Sequence, residues 1–242
     1  MADTPNLKHN YGKIDNQYAA FLATRPESQD GPIYMVNLMK YHEVAQYSDQ
    51  ADVTKPISGR EADDRYNPAS ILSRLGATFL LVGDVVSNAD SSQDWDRIAV
   101  VRYPTRKSFI EMQSRKDFTE KHVHKAAGMK RTIIVGCRPE DLSLDSRQRP
   151  KPNDDRWLVL VLRHTSERAS AFSSLPTATN FAVEGTIVGD GRTWDTVQFV
   201  VAQSPDDYKK ISESLSTEVS AGDAYVIGVH ASLDAITQAI SA

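Results

Sequence analysis

The sequence predicts an α+β protein made of two tandem ferredoxin-like β-α-β-β-α-β repeats, each a four-stranded antiparallel sheet with two helices on one face. Three observations carry that prediction. The first is an internal echo: WDRIAVVRYPTRKSFIEM, from Trp95 to Met112, is answered by WDTVQFVVAQSPDDYKKI, from Trp194 to Ile211. Each copy runs from Trp-Asp through an apolar strand and a capped turn into a helix whose first apolar residue is aromatic, Phe109 or Tyr208. The second is the matching order of elements around it, with Gly83 answering to Gly185 and Gly136 to Gly228. The third is EDLSLDSRQRPKPNDD, Glu140 to Asp155, charged, proline-containing and without periodicity, which reads as a linker. The expected division is a helical lead-in over 1–30, a first half over 31–140 that carries the candidate site, a linker over 141–155 and a second half over 156–242.

Taken in order, Ile14, Tyr18, Phe21 and Leu22 fall at helical spacing and end at Arg25-Pro26. IYMVNLMKY follows as a strand with Ile33, Met35, Asn37, Met39 and Tyr41 on one face and Lys40 on the other, so an amide sits among apolar neighbours. Ser58 and Glu61 open a helix that Pro68 should kink near Asn67. TFLLVGDVV and the Trp95 strand form a hairpin, and Thr105 caps the next helix. A further helix aligns Phe118, His122, Ala126 and Met129, and RTIIVGCRP is the fourth strand. The second half restates this with WLVLVLRH, an abbreviated helix around Arg168 to Leu175, FAVEGTIVG, the Trp194 strand, a helix begun by Ser204-Pro205, YVIGVH and a terminal helix SLDAITQAI.

Composition narrows the function classes. About 40% of residues are apolar and the formal net charge is -4, with no basic run interleaved with aromatics, which argues against nucleic acid and anionic membranes as partners. No apolar stretch approaches the roughly 20 residues needed to span a bilayer, and the first residues do not read as a secretory leader, so a cytoplasmic address is expected. The single cysteine, Cys137, lies in an apolar strand and reads as a core residue rather than a nucleophile. With no glycine-rich phosphate loop, nucleophile elbow or clustered acids, no cofactor and no metal are called for.

MVNLMKY (35 to 41), SGREADDRY (58 to 66), WDRIAVVRYPTRKSFIEM (95 to 112) and HKAAGMKRTIIVGCRP (124 to 139) together resemble the dimeric α+β barrel superfamily, and within it an uncharacterised domain-of-unknown-function family of bacterial proteins. They span most of residues 31 to 139. The family pattern usually has His-Arg where this chain has His124-Lys125, a departure that keeps the charge and loses the planar fork. The resemblance implies two sheets packed face to face into a barrel, normally between two chains and here closed by the tandem within one chain as a pseudo-dimer, with a homodimer as the other arrangement. The superfamily includes cofactor-free monooxygenases, isomerases, dehydratases and haem enzymes, so it settles no chemistry.

Polar residues interrupt the apolar pattern mainly in the first half, which places a pocket between its sheet and helices. His122 points inward one turn after Phe118 and is the better acid/base candidate. His124, the histidine singled out by the resemblance, lies two positions on, about 200° around the helix, so the two cannot chelate together. Tyr66 is a proton donor or a core tyrosine. Asn37 holds a substrate oxygen or bridges strand to loop, and Arg102 anchors an acid or forms an ion pair. Lys40 and Arg65 complete the substrate-binding candidates, each with a solvated reading beside it. The expected function is a small cofactor-independent enzyme of lyase, isomerase or oxygenase type acting on a hydrophobic small molecule. The alternative is a non-catalytic ligand-binding or stress-associated module.

Overall fold

A computed structural model describes residues 10–48, 55–146, 155–164, 175 and 178–237. Nine strands occur among them: β1 Lys13–Ile14, β2 Ile33–Tyr41, β3 Thr78–Asn88, β4 Arg97–Tyr103, β5 Met129–Pro139, β6 Arg156–Arg163, β7 Ala178–Gly189, β8 Thr196–Ala202 and β9 Ala224–Asp234. Their order is β1-β7-β5-β2-β4-β3-β9-β6-β8, and β7 also pairs with β8. Eight strands thus close into one antiparallel barrel, with the short β1 laid against the far end of β7 at Val188 and Gly189. A few helices lie outside it: α1 Asn16–Thr24, α2 Gly59–Tyr66, α3 Ala69–Arg74, α4 Arg106–Ser114, α5 Lys116–Gly128, α6 Ser143–Ser146, α7 Pro205–Ser214 and α8 Ser216–Ala221.

The single closed eight-stranded sheet overturns the expectation of tandem ferredoxin-like repeats meeting as a pseudo-dimer. The sheet runs on between the two halves of the chain, β3 hydrogen-bonding to β9 from Leu81 to Asn88 and β5 to β7 from Ile134 to Pro139, and within the second half β7 pairs with β8 from Ala178 to Ala182. The physical reason is the edge. A four-stranded sheet standing alone leaves two rows of unpaired backbone groups, and here each such row is taken up by a strand from elsewhere in the chain.

The strands alternate as the pattern of β2 foretells. Tyr34, Val36 and Leu38 point into the barrel with Ile98, Val100, Val135, Leu160 and Phe199. The interior is filled by side chains, as eight strands dictate; the Tyr225 ring lies 6.4 Å from Trp95 and 4.7 Å from Trp194. Outward, Ile33, Met35, Met39 and Tyr41 meet the helices in a second core. A smaller third core sits under α7 and α8. Cys137 is 0% exposed within the barrel, and burial, followed by the charge of Glu184, holds its thiol well above the usual range. We expect no reaction of the native protein with a disulfide reagent at neutral pH and complete reaction after denaturation, read as released thiolate; rapid native labelling would contradict the buried placement.

Local signals set most helix ends. Ser58 Oγ accepts from Glu61 N at 3.1 Å, Thr105 and Ser108 form a reciprocal capping box, and Ser204 Oγ accepts from Asp207 N. The break foreseen at Pro68 separates α2 from α3, with Asn67 at φ 23° between them. Helix α1 docks through Tyr18, whose ring lies where a side chain on Gly136 or Gly185 would stand: an added Cβ would approach it to 2.2 or 2.6 Å. Arg106 clamps the same region, its Nε 2.8 Å from Glu184 Oε1.

Two local readings are corrected, and a third is filled in. Ile14 belongs to β1 rather than to the first helix. Ser232 to Asp234 extend β9 instead of starting a terminal helix, because Leu81 pairs with Asp234 and Asp234 Oδ1 then captures the amides of Ile236 and Thr237 at 2.9 and 3.0 Å. The stretch read as a linker contains α6, which buries Leu144 in the barrel core. The helix expected around Arg168 to Leu175 lies outside the described residues, apart from Leu175 itself.

Candidate functional site

Helices α2 and α5 cross with their backbones in contact. His42 N donates to Gly128 O at 2.9 Å and Gly59 N to His42 O at 3.0 Å, tying the end of α5 to the start of α2. Only glycine fits at the contact, since a Cβ on Gly128 would stand 2.3 Å from the Gly59 carbonyl oxygen and one on Gly59 2.4 Å from that of Gly128. Each helix sends residues of one face toward the sheet: Asp63 and Tyr66 from α2, and Phe118, His122 and Lys125 from α5.

Between these helices, α3, α4 and the outer face of β2 and β4 lies a cavity of about 330 Å³. That is within the range of small-molecule sites. Its floor is Met35, Asn37 and Met39 of β2 with Ala99 and Val101 of β4, and its walls mix aromatic rings with aliphatic and charged side chains. The ring of His122 stacks on Phe118 at 5.2 Å and stands edge-on to Tyr66 at 6.3 Å. Its Nε2 lies 2.8 Å from the hydroxyl of Tyr11. Tyr11 arrives from the segment before β1, which is pinned to the barrel by the β1–β7 pairing and by Thr132 N donating to Tyr11 O at 2.9 Å.

The electrostatics favour neutral phenols. Burial, then the charge of Asp63, raises Tyr11 far above the ordinary phenol range, and burial likewise raises Tyr66 and Tyr103. The Tyr11 hydroxyl therefore keeps its proton and donates to an unprotonated Nε2, or accepts when Nε2 carries the hydrogen. Asp63 accepts at 2.7 Å from the hydroxyl of Tyr41 and stands 3.6 Å from Arg97. Lys125 holds its ammonium 5.3 Å from the centre of the Tyr66 ring, and burial lowers its pKa against the opposing pull of Asp63.

Of the residues anticipated from sequence, His122, Tyr66 and Asn37 come together here. Tyr66 is 6% and Asn37 8% exposed, and the Asn37 amide donates at 3.0 Å to Met35 O, so its nitrogen serves the strand. The other four lie elsewhere. His124 projects to the far side of α5, where its Nδ1 is 2.8 Å from the Tyr47 hydroxyl, and burial followed by the Arg65 charge lowers its pKa. Arg102 points to the barrel side of β4 and pairs with Asp145 of α6 at 3.4 Å. Lys40 is held at 3.1 Å by Asp94 and 2.9 Å by Asp96, and Arg65 at 2.9 Å by Glu61. All four are claimed by partners unrelated to the cavity.

Sequence reasoning missed Tyr11, Asp63 and Lys125. Asp63 and Lys125 carried a readable signal, being three positions before Tyr66 and three after His122 on the same helical faces. Tyr11 carried none, because it precedes any periodic segment. Among the described residues no group of three or more metal-ligating side chains gathers, and no helix is long and apolar enough to cross a membrane.

No family model matches the chain, and no curated protein matches it. Among solved structures, the chain is similar to a methylated form of the RPA0582 protein, at 24% identity over 52% of this chain and 93% of that one, with a TM-score of 0.43. A second structure, of the RPA0582 protein of unknown function from Rhodopseudomonas palustris, matches at 23% identity over 52% and 94%, also with a TM-score of 0.43. At that likeness neither carries an argument about this chain. They lend nothing to the lyase or isomerase labels, which are dropped, and the ferredoxin-like and tandem-repeat descriptions give way to the closed barrel.

Proposed function

We propose that the protein is a small cofactor-independent enzyme that moves a proton on a hydrophobic organic molecule held in the cavity beneath α2 and α5. The observation that carries this reading is the pairing of His122 Nε2 with the Tyr11 hydroxyl, 2.8 Å apart, in the wall of a cavity that aromatic, methionine and aliphatic side chains share with a few charged ones. Imidazole is the side chain best suited to accept and return a proton near neutral pH. A phenol that stays protonated can fix its orientation without competing as a base. Tyr66, whose hydroxyl makes no protein hydrogen bond among the described residues, is left to meet an oxygen of the substrate. A cytoplasmic setting belongs to the same reading, since the lone cysteine is buried and asks for no oxidising compartment.

The test joins binding to chemistry. Hydrophobic ketones, lactones and carboxylic acids would be screened for a rise in Tm, and each stabilising compound incubated with the protein in D2O while its proton NMR signals are followed. We expect at least one stabilising ligand to lose the signal of an activated C–H. Stabilisation without exchange in any ligand would instead make the protein a carrier, the alternative reading of the same cavity.

A further inference from the structure

We infer that the molecules taken by this cavity are hydrophobic carboxylic acids, and that Lys125 is the residue that selects them. This rests on the cavity being a ligand site, as proposed above, and goes beyond that reading by naming the group recognised. Two cations line the cavity, Arg97 and Lys125. Arg97 already has carboxylates around it, Asp64 at 2.9 Å, Asp84 at 3.5 Å and Asp63 at 3.6 Å, although its Nε makes no hydrogen bond. Lys125 is different. Among the described residues no carboxylate stands within ion-pair distance of its ammonium, and its neighbour is the face of Tyr66. The nearby Asp63 is already committed to the Tyr41 hydroxyl and Arg97.

Lys125 is partly buried, its ammonium faces a ring rather than a carboxylate, and burial lowers its pKa, so the charge is under-compensated. An anion entering the cavity supplies the missing partner, and the ammonium with its three donors would take a carboxylate oxygen. The apolar remainder, Met35, Met39, Leu72, Val101, Phe109 and Met112, suits a hydrocarbon tail. Lys125 follows His122 by three positions on α5, so both project from one face of the helix. A carboxylate held by the first places carbons a few bonds away beside the second.

The experiment measures the affinity of phenylacetate, cinnamate and octanoate, each against its primary amide, by calorimetry on the wild type and on Lys125→Met. The expected result is that at least one acid binds the wild type about tenfold or more tighter than its amide, and that Lys125→Met abolishes this preference while still binding the amide. Amides that bind as tightly as their acids to the wild type would overturn the inference and leave the cavity reading intact. So would a folded Lys125→Met variant that keeps the preference. Absence of binding by all six compounds would overturn both. The wild-type comparison stands even if the variant fails to fold.

Discussion

Replacing His122 with glutamine is expected to slow exchange of the activated C–H of a bound substrate by about 10²- to 10⁴-fold, the usual contribution of a positioned acid or base. Glutamine keeps the approximate length and can still hydrogen-bond the Tyr11 hydroxyl, but it cannot carry a proton away. Binding should therefore persist, seen as an undiminished ligand-induced rise in Tm. Tyr11→Phe should act more gently, since the imidazole remains and loses only the partner that orients it. An exchange rate unchanged in His122→Gln would remove the proposed chemistry. A loss of binding along with rate would point to a packing role, which the ring's contacts with Phe118 and Tyr66 make the competing explanation.

The second large effect is structural. Gly128→Ala is expected to destabilise the fold by about 1–3 kcal/mol, the cost of forcing a methyl group into a filled interior. Two effects oppose each other. Alanine favours a helix over glycine by about 1 kcal/mol, but at this site its methyl would stand 2.3 Å from the carbonyl oxygen of Gly59. The obstacle is backbone, which cannot rotate aside, so the clash wins. For a chain of this size that corresponds to a fall in Tm of about 3–10 °C. Gly59→Ala meets the same contact from the other side. The double variant should lose less than the sum of the two, because the helices need separate only once. An unchanged Tm would mean that α2 and α5 do not touch as described. Since the separation also moves Tyr66 and His122, ligand binding should weaken in parallel.

Individual elements were legible in the sequence wherever a local rule governs them. Alternation along IYMVNLMKY placed Asn37 on the helix-covered face and Lys40 opposite it, and Pro68 marked the break between α2 and α3. Closure of the barrel within one chain was expected from the family resemblance alone, because it depends on which strand completes the edges of β3 and β5, and no residue spacing encodes a partner so far along the chain. The site divided in the same way. His122, Tyr66 and Asn37 followed from helix and strand periodicity and met in one cavity. Arg102 follows the ion-pair reading offered for it, with Asp145, in the segment read as a linker, as the acid. Lys125 was noticed only as a departure from a family pattern, although its position on the His122 face was open to the same helical reasoning.

The placement of Tyr11 has a practical corollary. The residue meeting His122 is delivered by a short run of chain just ahead of a two-residue strand, while the barrel is assembled from Ile33 onward. A purification handle joined just ahead of it, or a protease nick there, would disturb the Tyr11–His122 contact in a sample whose circular dichroism and elution volume look sound. Assays on this protein should therefore begin from material whose N-terminal peptide has been verified intact by mass spectrometry.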